Sequence, residues 1–337
     1  MKTATIRRVL RLLCLVSSVS LLVAPRAGLS CACGCSVFDV GAGTMMPVNS
    51  ESGVSLWFRY SYMNQNQNWE GRSKAPASEN PDVQIKTSFY TFGGNVMVDP
   101  SWSVMVELPV YSRKFTSTDD GTVAGPAGSL YTARLTDLGD MTLTALFTGL
   151  SPDRSTGLGL GVRLPTGNYA GPNGPLGGAE FDRDTLPGTG STGLVLSTYH
   201  VGGLNADSSL AWFVQAKYEF AVLTRNDYRP GNDLNAALGL TWSFGQRGSE
   251  TRITPVLQLI GSHREHDSGA ASDPDNSGYS RLLIAPGVEA RLGKVRLYAD
   301  VALPVYQYTN AATPGTSDSS GQLVAPAYFK AQISYDF

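Results

Sequence analysis

Apolar and polar side chains alternate in segments of about 10–14 residues that recur from residue 53 to the C-terminus. In the stretch 295–305, Val295, Leu297, Ala299, Val301, Leu303 and Val305 interleave with Arg296, Tyr298, Asp300, Ala302 and Pro304. Period two is the period of a β-strand whose two faces meet different surroundings. About twelve such segments are readable: 53–63, 83–98, 102–112, 139–149, 156–165, 192–202, 208–221, 232–244, 251–262, 279–292, 295–308 and 323–337. Strands of soluble proteins average roughly 5–6 residues. A strand that crosses a bilayer needs about 9–11. The lengths therefore favour a membrane.

The connections alternate as well. Long polar loops (64–82, 113–138, 166–191, 222–231, 263–278 and 309–322) are separated by short turns, such as the two-residue Gly293-Lys294. Long external loops and short periplasmic turns are the pattern of an outer-membrane barrel. The expected fold is an all-β transmembrane antiparallel barrel of about twelve strands over 53–337, with both barrel ends periplasmic.

Energetics assigns the faces. An Arg or Lys facing lipid at the midplane costs about 2–4 kcal/mol. Pointing the aliphatic face outward instead puts Arg59, Glu107, Arg163, Lys217, Glu219, Arg281, Glu289, Arg291, Arg296, Asp300 and Lys330 in the lumen. Both signs line that lumen, which predicts cross-strand salt pairs, Arg296 with Asp336 among them. The loop 166–191 is a candidate constriction. It carries Glu180, Asp182, Arg183 and Asp184 beside the bend-prone "GPNGPLGG", and folding inward competes with lying in external water. The final segment ends on Tyr335 and Phe337, the aromatic ending expected to be read by the barrel assembly machinery.

The N-terminus suggests export. Lys2, Arg7, Arg8 and Arg11 precede the apolar run 12–24, too short for a spanning helix, so 1–30 reads as a signal peptide. The segment 31–52 is expected to be periplasmic. It opens with "CACGC", in which Cys31, Cys33 and Cys35 are candidates for a soft metal, a disulfide or redox role, or lipidation. No other cofactor is expected. Charged residues make up only 16% of the chain and the net charge is −2, so no basic excess points to nucleic acid. The histidines His200, His263 and His266 are not accompanied by a nucleophile elbow, and an enzyme is not expected.

"WSVMVELPVY" (102–111), "LTDLGDMTLTALF" (135–147), "LGLGVRLPTGNY" (158–169), "LPGTGSTGLVLSTYH" (186–200), "DYRPGNDLNAALGL" (227–240) and "APGVEARLGKVRLYADVALPVY" (285–306) occur in that order. Over roughly 83–337 the chain resembles the transporter-like outer-membrane proteins labelled "MetA-pathway of phenol degradation". The resemblance implies a β-barrel and passage of small organic molecules, though not phenol-degrading activity. The expected function is diffusion of small, aromatic or apolar solutes through a polar-lined barrel in the outer membrane of a diderm bacterium, in contact with outer-membrane lipid. The alternative is a structural or partner-binding barrel with a plugged lumen; a barrel hydrolase ranks third.

Overall fold

A computed structural model describes residues 31–32, 53–118, 125–170, 181–244, 251–310 and 321–337. Its twelve staves form one closed antiparallel barrel. In chain order they are β2 (Val54–Gln65), β5 (Asp82–Met97), β6 (Trp102–Thr118), the broken stave β7 (Leu130–Leu138) with β8 (Met141–Phe147), β9 (Thr156–Leu164), β10 (Thr192–Gly203), β11 (Leu210–Leu223), β12 (Asp233–Trp242), β13 (Thr251–Arg264), β14 (Tyr279–Leu292), β15 (Val295–Thr309) and β17 (Tyr328–Asp336). Sequence neighbours pair with each other, and β17 pairs with β2 to close the ring. A small second sheet is made of β1 (Cys31–Ala32), β16 (Gln322–Val324), β3 (Gln67–Glu70) and β4 (Ser73–Lys74).

The faces follow the alternation. In β13, Leu257 and Leu259 are exposed while Val256, Gln258 and Ile260 are buried. Leu160 is 60% exposed, and Leu238, Val301, Leu303 and Ile333 are also open on the outside. Fully burying one such side chain is worth about 1.5–3 kcal/mol, so a soluble protein would not leave a whole wall of them in water. Aromatic pairs ring the end with the short turns: Trp102 with Phe147 (4.9 Å), His200 with Trp212 (5.1 Å), Trp242 with Phe244 (4.8 Å) and Tyr335 with Phe337 (4.7 Å). This is where an interfacial aromatic belt belongs.

Three departures from the sequence reading stand out. First, the region read as a long loop over 113–138 is largely strand, because β6 runs on to Thr118 and β7 begins at Leu130. β9 ends at Leu164, opposite Met141, so β7 rises above its neighbour. Second, residues 322–324 do not join the barrel wall. They form β16, which pairs with β3 and packs Leu323 against Ile85 and Phe115 on the inner wall. Third, the interior is not uniformly polar. Met63, Phe89, Phe213, Ile260, Leu283, Tyr298 and Tyr328 belong to one buried apolar cluster inside the barrel.

Candidate functional site

The lumen holds a chamber of about 160 Å³. Its wall carries charges of both signs, supplied by inward positions of several strands. Arg59 on β2 donates from Nη2 to Glu107 Oε1 on β6 at 2.9 Å. Farther round, Arg163 on β9 pairs through Nη1 with Glu219 on β11, and its Nε is 3.9 Å from Asp140 Oδ2. Lys217 Nζ is 3.8 Å from the other oxygen of Glu219. Phe89, which lines the chamber, also belongs to the apolar cluster, and Tyr111 packs against that cluster. The chamber wall thus mixes paired charges with aromatic rings.

Its outer wall is residues 181–191, which fold into the barrel. Phe181 stacks on Phe115 at 5.9 Å, and Leu186 is buried beside it against Ile85 and Ala133. The two arms of this connection cross at Gly167 and Gly188. A Cβ on Gly188 would sit 2.4 Å from the Gly167 carbonyl carbon, so the crossing requires glycine. Gly188 N–H donates to Asn168 O at 2.9 Å.

Asp140 locks the crossing. It lies in the break between β7 and β8, is 7% exposed, and accepts from Gly167 N at 3.0 Å, Thr189 N at 2.9 Å and Thr189 Oγ1 at 2.7 Å. Asp137 Oδ2 adds a bond from Asn168 Nδ2 at 2.7 Å. Neither aspartate was selected from the sequence. The available signal was the interrupted alternation at Gly139-Asp140.

Arg183, one of the sequence-selected loop residues, donates to Gly188 O (3.2 Å) and Thr189 O (2.5 Å). Its guanidinium lies 4.3 Å over the Tyr228 ring, a cation–π contact to the next external connection. Tyr228 donates in turn to Asp267 Oδ2 at 2.7 Å, and Arg264 Nη2 reaches Asp267 Oδ1 at 2.6 Å. Burial first, then the Asp267 charge, pushes the Tyr228 hydroxyl well above its usual range. Asp184 lines the chamber with Arg183. The Asp182 carboxyl is raised well above the ordinary aspartate value, chiefly by burial and then by Asp82, Asp184 and Asp273. Glu180 lies outside the described residues.

The other sequence-selected lumen residues also stand on inward rows but away from the chamber. Arg281 donates to Tyr328 Oη at 2.9 Å and covers the Tyr279 ring at 3.9 Å. Asp300 accepts from Tyr298 Oη at 2.6 Å and sits opposite Lys330 in the strand register. Glu289, Arg291 and Arg296 lie toward the short-turn end, where Arg296 Nε meets Asp336 Oδ2 at 3.3 Å. The backbone of Cys31–Ala32 runs parallel to Gln322–Leu323. Cys33 and Cys35 lie outside the described residues, and no group of metal-ligating side chains occurs among those described.

No family model matches the chain. No curated protein matches it. Among solved structures, it is similar to an outer membrane channel from Pseudomonas putida F1, at 12% identity and a TM-score of 0.60, over 88% of this chain and 100% of that one. The β-domain of the Bordetella autotransporter BrkA aligns at 14% identity and a TM-score of 0.48, over 85% and 100%. The monoaromatic hydrocarbon channel CymD aligns at 10% identity and a TM-score of 0.44, over 89% and 94%. At these identities the likeness concerns the fold.

Proposed function

We propose that this chain is an outer-membrane channel for small solutes that combine an aromatic or apolar ring with a polar substituent. The observation that carries the reading is the chamber itself. It sits inside a wall that is apolar outward, beneath an inward-folded segment, and its lining carries paired charges together with Phe89 and Tyr111. Such a space can solvate a polar group at one end of a solute and cover a ring at the other. Passage through it needs no covalent chemistry. The similar outer membrane channel from Pseudomonas putida is consistent with this assignment. Tyr335 and Phe337, at the end of β17, would serve the assembly machinery as its recognition segment.

A second reading is a barrel with a closed lumen that acts through its external loops. It draws on the buried cluster around Phe213 and on the seating of Phe181 and Leu186. Planar-bilayer recording separates the two. Discrete conductance steps, blocked by small substituted aromatics, support the channel. A folded barrel that stays silent supports the alternative.

A further inference from the structure

On the outside of β5, β6 and β7 three cations stand in one cross-strand row. Lys86 is directly opposite Lys114, and Lys114 is directly opposite Arg134. Their neighbours Ile85, Thr87, Arg113, Phe115 and Ala133 are buried toward the lumen, so the alternation turns the three cations outward. Facing Cβ atoms in such a row lie about 4.5–5.5 Å apart, and like charges there repel. The outward positions of these three strands carry no Asp or Glu to relieve the repulsion.

The row occupies a defined height. Below it the outer wall reads Val106 with Leu143, then Phe92 with Leu108, then Tyr90, Val110 and Leu138. Next come the hydroxyls of Ser88, Ser112 and Thr136, with Ser112 and Thr136 joined at 2.9 Å. The cations follow, and then Thr116 and Thr132, joined at 3.1 Å. The wall therefore passes from hydrocarbon to hydroxyl to positive charge within a few rows, ending where lipid headgroups begin. The outward positions near the same end of β12, β13, β14 and β15 are Leu234, His263, Ser280 and Tyr308, with Arg72 standing singly over the Tyr306 ring, so the row of three adjacent cations belongs to β5, β6 and β7.

We propose that this row binds the phosphate groups of an anionic glycolipid in the outer leaflet. Phosphate oxygens placed between the three side chains would replace repulsion with charge-assisted hydrogen bonds, Arg134 offering a bidentate fork. The hydroxyl rows above and below can bond the sugar to which the phosphates are attached. The inference rests on the membrane placement proposed above.

The test uses the full chain in zwitterionic phospholipid vesicles, with or without diphosphorylated lipid A. Native mass spectrometry reads retention of the lipid, and the heat-modifiable gel shift reads folding. Diphosphorylated lipid A should be retained and should raise the unfolding temperature; dephosphorylated lipid A and inorganic phosphate should do neither. The combined Lys86→Gln, Lys114→Gln, Arg134→Gln variant should fold yet lose retention by about tenfold or more. Lys86→Arg with Lys114→Arg should keep it. Equal retention by the Gln variant, or by dephosphorylated lipid A, overturns the proposal. Asp119 and Asp120 follow β6 and lie outside the described residues. If lipid A binds only after Asp119→Asn and Asp120→Asn, the chain supplies its own counter-ions and the proposal falls. A barrel that conducts but does not retain the lipid sinks this inference alone. A chain that folds in plain buffer sinks the membrane placement.

Discussion

Asp140 holds Thr189 twice, by the backbone amide at 2.9 Å and by the hydroxyl at 2.7 Å, across a separation of 49 residues. A wall residue thereby fastens the segment that narrows the lumen. Asp140→Asn removes the charge from both bonds, each worth about 1.5–3 kcal/mol when ionised. The expected result is a folded barrel with larger and noisier single-channel conductance, read in planar bilayers.

Gly188→Ala tests the same crossing without touching charge. Its Cβ would meet backbone atoms of Gly167 at 2.4 Å, which no side-chain rotation relieves. The segment should leave its seat, and conductance should rise as in Asp140→Asn. Unchanged conductance would remove the crossing from the account.

The raised Asp182 makes seating depend on pH. Its folded value lies above the unfolded one, so the folded state holds the proton more tightly. The stabilisation is fully present below about pH 3.9, the ordinary aspartate value, and is lost as pH rises through the folded value. Acidification from neutrality should therefore seat residues 181–191 more firmly and lower conductance. Asp182→Asn should flatten this dependence in recordings over a pH series.

Arg59 and Glu107 form a pair that is mostly shielded from solvent, with side chains 3% and 13% exposed. Removing one member of a buried pair costs about 3–5 kcal/mol, whereas replacing both with apolar groups is often near neutral. Arg59→Met should destabilise the barrel in urea titrations, and adding Glu107→Leu should recover most of the loss. Glu107→Gln alone leaves the chamber more positive and should shift the reversal potential toward anions.

The outer wall has its own test. Leu160→Arg places a charge on the lipid face of β9 and should cost about 2–4 kcal/mol if it lies near the midplane. Reversible folding into vesicles measures this; a negligible change would contradict the lipid contact.

The alternation revealed the staves wherever lipid lies outside. Val295 to Val305 is such a case, and Arg296 with Asp336 pairs as that reading required. It failed over 113–138 because the pattern inverts there. Above the hydrocarbon, Lys114, Thr116, Thr132 and Arg134 face outward while Phe115 and Ala133 turn in to meet Phe181. A rule that sends apolar residues out sees only a polar loop in such a stretch. The inner cluster stayed hidden for a related reason. Around Phe213 in β11 both faces are apolar, so period two could not say which one holds the cluster. For Asp140 the interrupted alternation marks only a break in the stave; its role depends on Gly167 and Thr189, which reach it only after the connection has folded back.

The unequal height of β7 and β9 gives the barrel a front and a back. Strand pairing runs past Lys114 to Thr118 on β5, β6 and β7, while on β9 and β10 it stops at Leu164 and Thr192, so the hydrogen-bonded wall is taller on one flank than on the other. Two copies in one membrane would likewise present different profiles to each other depending on how each is turned about its axis.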